Sequence, residues 1–368
     1  MTSTHASGPQ KIFITDCEGP ISKNDNAFEL ASHFIPNGNR LFTIISRYDD
    51  ILADLVKRQG YKAGDTLKLV LPFLKAYHVT NEKITNFSSQ NLTLMPGANE
   101  MLRFVRGFMS SYIVSTSYEH YMRALCAAVK FPFENVHCTQ IDLDSHPMVN
   151  HEREEIRRLA EMIVKLPMLK IPKDARSLTD LPNPMQTAVH RLDEIFWNKI
   201  VNMQIGKLMS EVNPVGGPEK TAAIKDIVTK LNGRLENVIY VGDSITDVSA
   251  FQLVRLAGGP TVSFNGNSYA IREAEIAVLS RNAIVTAVLA NMFRRFGKAQ
   301  LMTFIKEWKP STLRKIGLPE ALNDCFSKSC GRKYPKIALV TKVNMTKLMR
   351  ESTQLRKSVR GKAIGKLG

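Results

Sequence analysis

The 368-residue chain has only five cysteines, Cys17, Cys126, Cys138, Cys325 and Cys330, too few and too scattered for a disulfide framework at this length. A reducing compartment, the cytoplasm, is therefore expected. Long apolar runs are also missing. The most apolar stretch, Ala283 to Phe293, falls well short of the ~20 residues that span a bilayer, and the opening MTSTHASGPQK lacks the apolar segment of a signal peptide. No membrane attachment is expected. No internal repeat is visible, and 44% apolar with 23% charged residues excludes a largely disordered or collagen-like chain. Acidic residues run short in one place only. Residues 298–368 hold 17 basic and 4 acidic side chains against 33 and 30 in the first 297, so most of the net charge of +16 lies at the C-terminal end. Aromatic residues are sparse there too, which argues against a base-stacking platform. Two readings of the basic end stay open: a site for nucleic acid or an acidic partner, or a solvated surface extension.

The length predicts two domains or three. Beyond a flexible N-terminus over 1–10, Lys11-Ile-Phe-Ile-Thr15 reads as a buried strand stopped by the breaker cluster Asp16-Cys-Glu-Gly-Pro20. Strand-like runs recur at Ser111–Val114, Asn135–Thr139, Asn237–Gly242 and Gly259–Phe264, alternating with helical periodicity, which predicts a parallel sheet covered on both faces. Two helical stretches interrupt it. Residues 26–91 keep a 3.6-residue period through Leu41, Ile44, Ile45, Tyr48, Ile51, Leu52 and Leu55, with Asn26 and Glu29 as a capping pair. Residues 142–214 hold a charged helix over 152–164, a proline-broken segment and a long helix from about Gln186 to Met209. The resulting plan is an α/β, Rossmann-like core over 11–25, 92–141 and 215–297, a helical cap over 26–91, a helical insertion over 142–214, and a basic extension over 298–368 expected to fray from Lys347.

Four pieces fall at predicted strand ends or helix starts: Asp16-Cys-Glu18, Ser115-Thr116, Lys220 in Gly-Gly-Pro-Glu-Lys, and Gly242-Asp243-Ser-Ile-Thr-Asp247. In open α/β sheets ligands bind beyond the carboxyl ends of the strands, so these residues are expected to share one crevice. Each has a plainer explanation. Ser244 with Asp247 fits a capping box, Ser115 to Ser117 fit a helix start, and Lys220 fits a solvated first turn.

The order of these motifs resembles that of the haloacid dehalogenase superfamily, most of whose members are magnesium-dependent phosphatases. The match covers residues 11–20, 94–139 and 216–264, and the helices after the first motif look like that superfamily's helical cap. Ile-Thr-Asp-Cys-Glu-Gly-Pro also looks like an archaeal subgroup associated with energy-converting hydrogenases. The resemblance implies hydrolysis of a small phosphorylated substrate. Asp16 is then the nucleophile, forming an aspartyl-phosphate, and Glu18 the general acid and base. Lys220 neutralises charge, Ser115, Thr116 and Lys220 bind the phosphate, Mg²⁺ is held by Asp16, the Glu18 carbonyl and Asp243, and Asp247 holds the metal's waters or orients Lys220. Glu18 stands where the superfamily more commonly has aspartate, and Pro20 where it has Thr or Val. These departures raise a second reading, a catalytically weak binding or regulatory subunit.

Other candidates carry less. His146 and His151 lack a third ligand nearby, and Cys325 and Cys330 have the wrong spacing for a zinc knuckle. Gly-Gly-Pro-Glu-Lys-Thr lacks the leading glycine of a phosphate-binding loop. Arg40 and Arg47 fit a solvated helix face, and Cys17 fits packing.

Overall fold

The computed structural model describes residues 10–366 except 173 and 332, so the flexible N-terminus expected for 1–10 lies outside the described residues but for Gln10. Seven strands form one sheet: β1 (Ile12–Thr15), β2 (Ser110–Tyr118), β3 (Val136–Thr139), β4 (Val238–Gly242), β5 (Thr261–Phe264), β6 (Ile276–Leu279) and β7 (Lys336–Leu339). Their order is β3-β2-β1-β4-β5-β6-β7. All neighbours are parallel except β6 and β7. Strands β1, β4, β5 and β6 are buried throughout, as continuous apolar runs in a sheet covered on both faces must be.

The helices, in chain order, are α1 (Asn26–Phe34), α2 (Gly38–Asp50), α3 (Thr66–Ala76), α4 (Asn81–Asn91), α5 (Ala98–Arg106), α6 (Glu119–Val129), α7 (Asn150–Lys165), α8 (Asn183–Asp193), α9 (Gly206–Glu211), α10 (Gly217–Lys230), α11 (Val248–Leu256), α12 (Ser268–Glu273), α13 (Ile284–Lys306), α14 (Pro310–Ile316), α15 (Glu320–Cys330) and α16 (Met345–Arg360). Among the described residues no helix is long and apolar enough to cross a membrane.

The α/β, Rossmann-like sheet with inserted helices matches the expectation, and the details add four corrections. Strand β6 is absent from the sequence pattern, because Ile-Ala-Val-Leu is too short a run to separate a strand from a helical segment. Strand β7 extends the sheet beyond 296. It is an antiparallel edge strand whose exposed Lys336 disguises it, a common way of blunting an edge. The long helix expected from Gln186 to Met209 breaks into α8, a π turn over Glu194–Lys199, a 3₁₀ turn and α9. The extra residue of the π turn keeps Ile195, Phe196 and Ile200 all buried. Finally, Asp25 rather than Asn26 caps α1, accepting the Phe28 N–H at 3.0 Å.

The two helical stretches are not separate bodies. Leu41, Ile45, Tyr48, Leu69 and Phe73 share one apolar core with Ile156, Leu159, Leu192, Phe196 and Leu208. Arg40 fastens the two, donating to the carbonyls of Val164 and Leu166 at 2.6 and 2.8 Å. The basic C-terminal region is folded as well. Most of the stretch expected to fray from Lys347 lies in α16, whose Leu348, Ser352, Arg356 and Arg360 recur every fourth position and are buried.

Candidate active site

Strands β1 and β4 lie side by side with Thr15 level with Val241, so the turns leaving the two strands emerge together at the point where strand order reverses. Asp16 extends β1 by one residue and donates its N–H to the Val241 carbonyl at 2.8 Å. The turn after it doubles back at once, with the N–H groups of Ile21 and Ser22 on the Cys17 carbonyl. Gly19 holds a φ of +103°, and a Cβ there would overlap Asp243 Oδ2. Only glycine lets this turn close against the carboxylate just past β4.

Lys220 lies in the first turn of α10, fully buried. Its Nζ is 3.2 Å from Asp16 Oδ2 and 2.7 Å from Asp247 Oδ1. The Tyr240 hydroxyl also donates to Asp247 Oδ1 at 2.7 Å, while the N–H groups of Asp243 and Ser244 donate to Oδ2 at 2.9 and 3.0 Å. A carboxylate offers about four lone-pair sites, and four donors fill those of Asp247. Its geometry is that of an anchor for Lys220 and for the turn after β4. Of the two parts expected of it, orienting Lys220 is the one this geometry fits, since both its oxygens already have partners.

Electrostatics stem from this packing. Burial works against the Lys220 charge, but Asp16 and Asp247 outweigh it and raise its pKa above the ordinary value. Burial likewise opposes the Asp247 charge, yet Lys220, Tyr240 and the backbone donors prevail and lower its pKa. For Asp16 burial dominates. Lys220 opposes it, the charges of Asp247 and Asp243 add to it, and the carboxyl is pushed up to about 7. Glu18 is lifted well above the carboxylate range by burial and then by Asp25, more than Arg360 offsets. Glu18 Oε1 accepts the Asn26 N–H at 2.9 Å, at the start of α1. Surroundings that disfavour the charged form suit the carboxyl to proton transfer. The Cys17 thiol is buried and pushed up by its surroundings, in keeping with packing rather than reactivity.

Asp16, Glu18, Ser115 and Asp243 wall one cavity of about 110 Å³, roofed from α2 by Phe42 and Asp49. The Ser115 hydroxyl is buried at the cavity wall and bonds Ser117 Oγ at 3.1 Å. Thr116 departs from the phosphate-binding part expected of it. Although it borders the cavity, its hydroxyl donates to the Val215 carbonyl at 3.0 Å, fastening β2 to the loop before α10. His146 bonds Glu211 at 2.9 Å, Arg47 pairs with Asp50 at 3.0 Å, and all five cysteines are free.

Two residues of the site escape the sequence motifs, Arg356 and Arg360 of α16. Both guanidiniums reach Asp243 Oδ2, Arg360 at 3.1 Å, and both border the cavity. Arg360 also donates to the carbonyls of Lys23 and Asn24, and Ser352 of the same helix donates to the Gly266 carbonyl at 2.6 Å. The one signal in the sequence is the four-residue recurrence of Leu348, Ser352, Arg356 and Arg360. It places two arginines on the face of α16 that carries a buried leucine and serine.

A divalent cation is the natural guest of an acidic cluster, and carboxylate oxygens of Asp16, Asp243 and Asp247 do lie within 4.8 Å of one another. The partners already present do not fit one. Asp247 is fully engaged, and Asp243 Oδ2 is crowded by Gly19 and holds two guanidinium charges. A third cation on that carboxylate would meet like-charge repulsion in a buried setting.

No family model matches this sequence, and a search of curated proteins found no match. Among solved structures, a gene product of Archaeoglobus fulgidus is similar over 98% of this chain and 99% of its own, at 26% identity and a TM-score of 0.79. A phospho-aspartyl intermediate analogue of phosphoserine phosphatase is similar at 14% identity over 77% of this chain and 99% of its own, with a TM-score of 0.47. A substrate-bound phosphoserine phosphatase complex reaches 12% over 77% and 98%, with a TM-score of 0.44. At scores below 0.5 the two phosphatases carry no weight for function, whereas the archaeal structure shares the fold along nearly its whole length.

Proposed function

We propose that the protein hydrolyses a phosphoric monoester of a small molecule through an aspartyl-phosphate on Asp16. The observation that carries this reading is the convergence of Asp16, Glu18 and Ser115 on one roofed cavity at the switch point of the sheet, with the buried Lys220 3.2 Å from Asp16. An Asp16 oxygen attacks phosphorus, the bond to the leaving oxygen breaks, and the leaving alkoxide takes the proton of Glu18. Water then attacks the aspartyl-phosphate, giving its proton to Glu18 and releasing inorganic phosphate. Lys220, held by Asp247, faces the charge that builds on the phosphoryl oxygens, with the Ser115 hydroxyl beside it. The cap roofs the cavity, and its volume of about 110 Å³ suits a small substrate. Membership of the haloacid dehalogenase superfamily is part of the proposal, supported by the order of the motifs, and the hydrogenase-associated subgroup rests on the first motif alone. The magnesium that the resemblance implies enters no step here. The setting proposed is the cytoplasm.

The test is hydrolysis of a generic aryl phosphate and of a panel of phosphorylated metabolites. Asp16→Asn is expected to lower turnover about a thousand-fold or more, as loss of a covalent nucleophile does. Turnover undiminished in that variant would remove Asp16 as the nucleophile. Absence of turnover in the unaltered protein across the panel would favour the binding-subunit reading.

A further inference from the structure

The disagreement between the acidic cluster and its partners points to a role for α16, one that rests on the phosphoryl-transfer reading of Asp16. We propose that Arg356 and Arg360 are the phosphoryl-binding cations of this site, supplying beside Asp243 the positive charge that a divalent metal would otherwise bring.

Three observations converge. First, two guanidiniums converge on a single oxygen of Asp243 at the cavity wall, with Asp25 and Glu18 among the other carboxyls that act on them. Second, Arg356 is buried and its Nε has no hydrogen-bond partner, a cost that a buried donor rarely bears unless a ligand relieves it. Third, both arginines border the same cavity as Asp16 and Ser115. A guanidinium is a planar fork of five N–H donors, matched to two oxygens of a phosphoryl group, and it stays charged when buried. Arg360 is pinned by its bonds to the carbonyls of Lys23 and Asn24, which leaves Arg356 the freer of the two to turn from Asp243 toward an incoming oxyanion. The site would then hold its substrate between Asp16, backed by Lys220, and Arg356, with cation charge preorganised by the fold.

The experiment is calorimetric titration of the full chain with inorganic phosphate, first in EDTA and then with excess magnesium chloride. Saturable binding in EDTA is expected, little changed by magnesium. Arg356→Gln should weaken it about ten-fold or more, as loss of a charged hydrogen bond does, and Arg356→Lys, which keeps charge but not the fork, should fall between. Lys347→Gln, at an exposed position of the same helix, should leave it unchanged. Thermal melts of each variant separate lost binding from lost folding, and the lysine variant preserves the test if the glutamine variant is unfolded. Phosphate binding that appears only with magnesium, or that survives in folded Arg356→Gln, overturns the inference and leaves the phosphoryl-transfer reading standing. No phosphate binding under either condition brings down both.

Discussion

On one side of the cavity a single cation serves two carboxylates. On the other a single carboxylate holds two cations. Lys220 is committed to both Asp16 and Asp247, and Asp247 is in turn saturated by Tyr240 and two backbone N–H groups. Asp243 carries Arg356 and Arg360 on one oxygen. The first arrangement is locked, because any movement of Lys220 strands a buried charge. The second leaves a buried donor, Arg356 Nε, without a partner. The difference teaches where this protein can respond to an incoming anion: at the helix that closes the site, rather than at the strand ends that found it.

The comparison breaks most sharply by substitution. Lys220→Met leaves Asp16 and Asp247 facing each other, buried and without their shared cation, and should cost about 3–5 kcal/mol. Arg360→Gln leaves Asp243 paired with Arg356 and removes hydrogen bonds to two carbonyls, so the loss should stay near 1–3 kcal/mol. Urea unfolding midpoints at one pH measure both. Equal losses would mean that Asp243 depends on both guanidiniums as Asp16 and Asp247 depend on Lys220.

Legibility in the sequence divides along the same line. The residues around Lys220 sit just past apolar strand runs or open a helix, so pattern alone places Asp16, Ser115, Asp243 and Lys220 in one crevice. The sheet core is legible for the same reason, since β1, β4 and β5 are continuous buried runs. The arginines of α16 are not, because their meaning depends on a contact with Asp243 across more than a hundred residues, and locally they look like two more charges in a basic tail. Strand β7 hides in the same way, its edge position letting Lys336 stand where a central strand would carry an apolar residue. Thr116 fails for a subtler reason. Residue type and position fit phosphate binding, but the Val215 carbonyl reaches its hydroxyl first.

A third way of holding a buried carboxylate occurs in the cap. Asp49 is satisfied by the Tyr61 hydroxyl at 2.6 Å and the Gly64 N–H at 2.9 Å, and burial pushes its pKa up to about 7, with Asp50 and Asp65 adding to the rise. An unfolded aspartate titrates near ~3.9. Between these values the folded protein keeps a proton that the unfolded chain gives up, so stability should fall as pH climbs from about 4 to about 7 and level off above. At about 1.4 kcal/mol per pKa unit the loss is roughly 2–4 kcal/mol. Asp49→Asn, which removes this titration, should shrink the difference in urea midpoint between about pH 5 and about pH 8, leaving the part that Asp16, Glu29 and Asp50 contribute. An unchanged difference would move this pH dependence to other groups and leave Asp49 no different from a carboxylate paired with a cation.

The smallest effect tests whether position or mere charge matters on α16. Lys347 is exposed, one residue before the buried Leu348. Lys347→Ala should change stability by no more than about 0.5 kcal/mol, the usual range for a surface site, in the same urea assay. It removes the same unit of charge as Arg356→Gln. If the basic end attracts anions only diffusely, the two substitutions should act alike and fade together as salt is raised. If the inward arginines form a site, only Arg356→Gln should act, because a cation screened by water contributes little beside one held against a buried carboxylate.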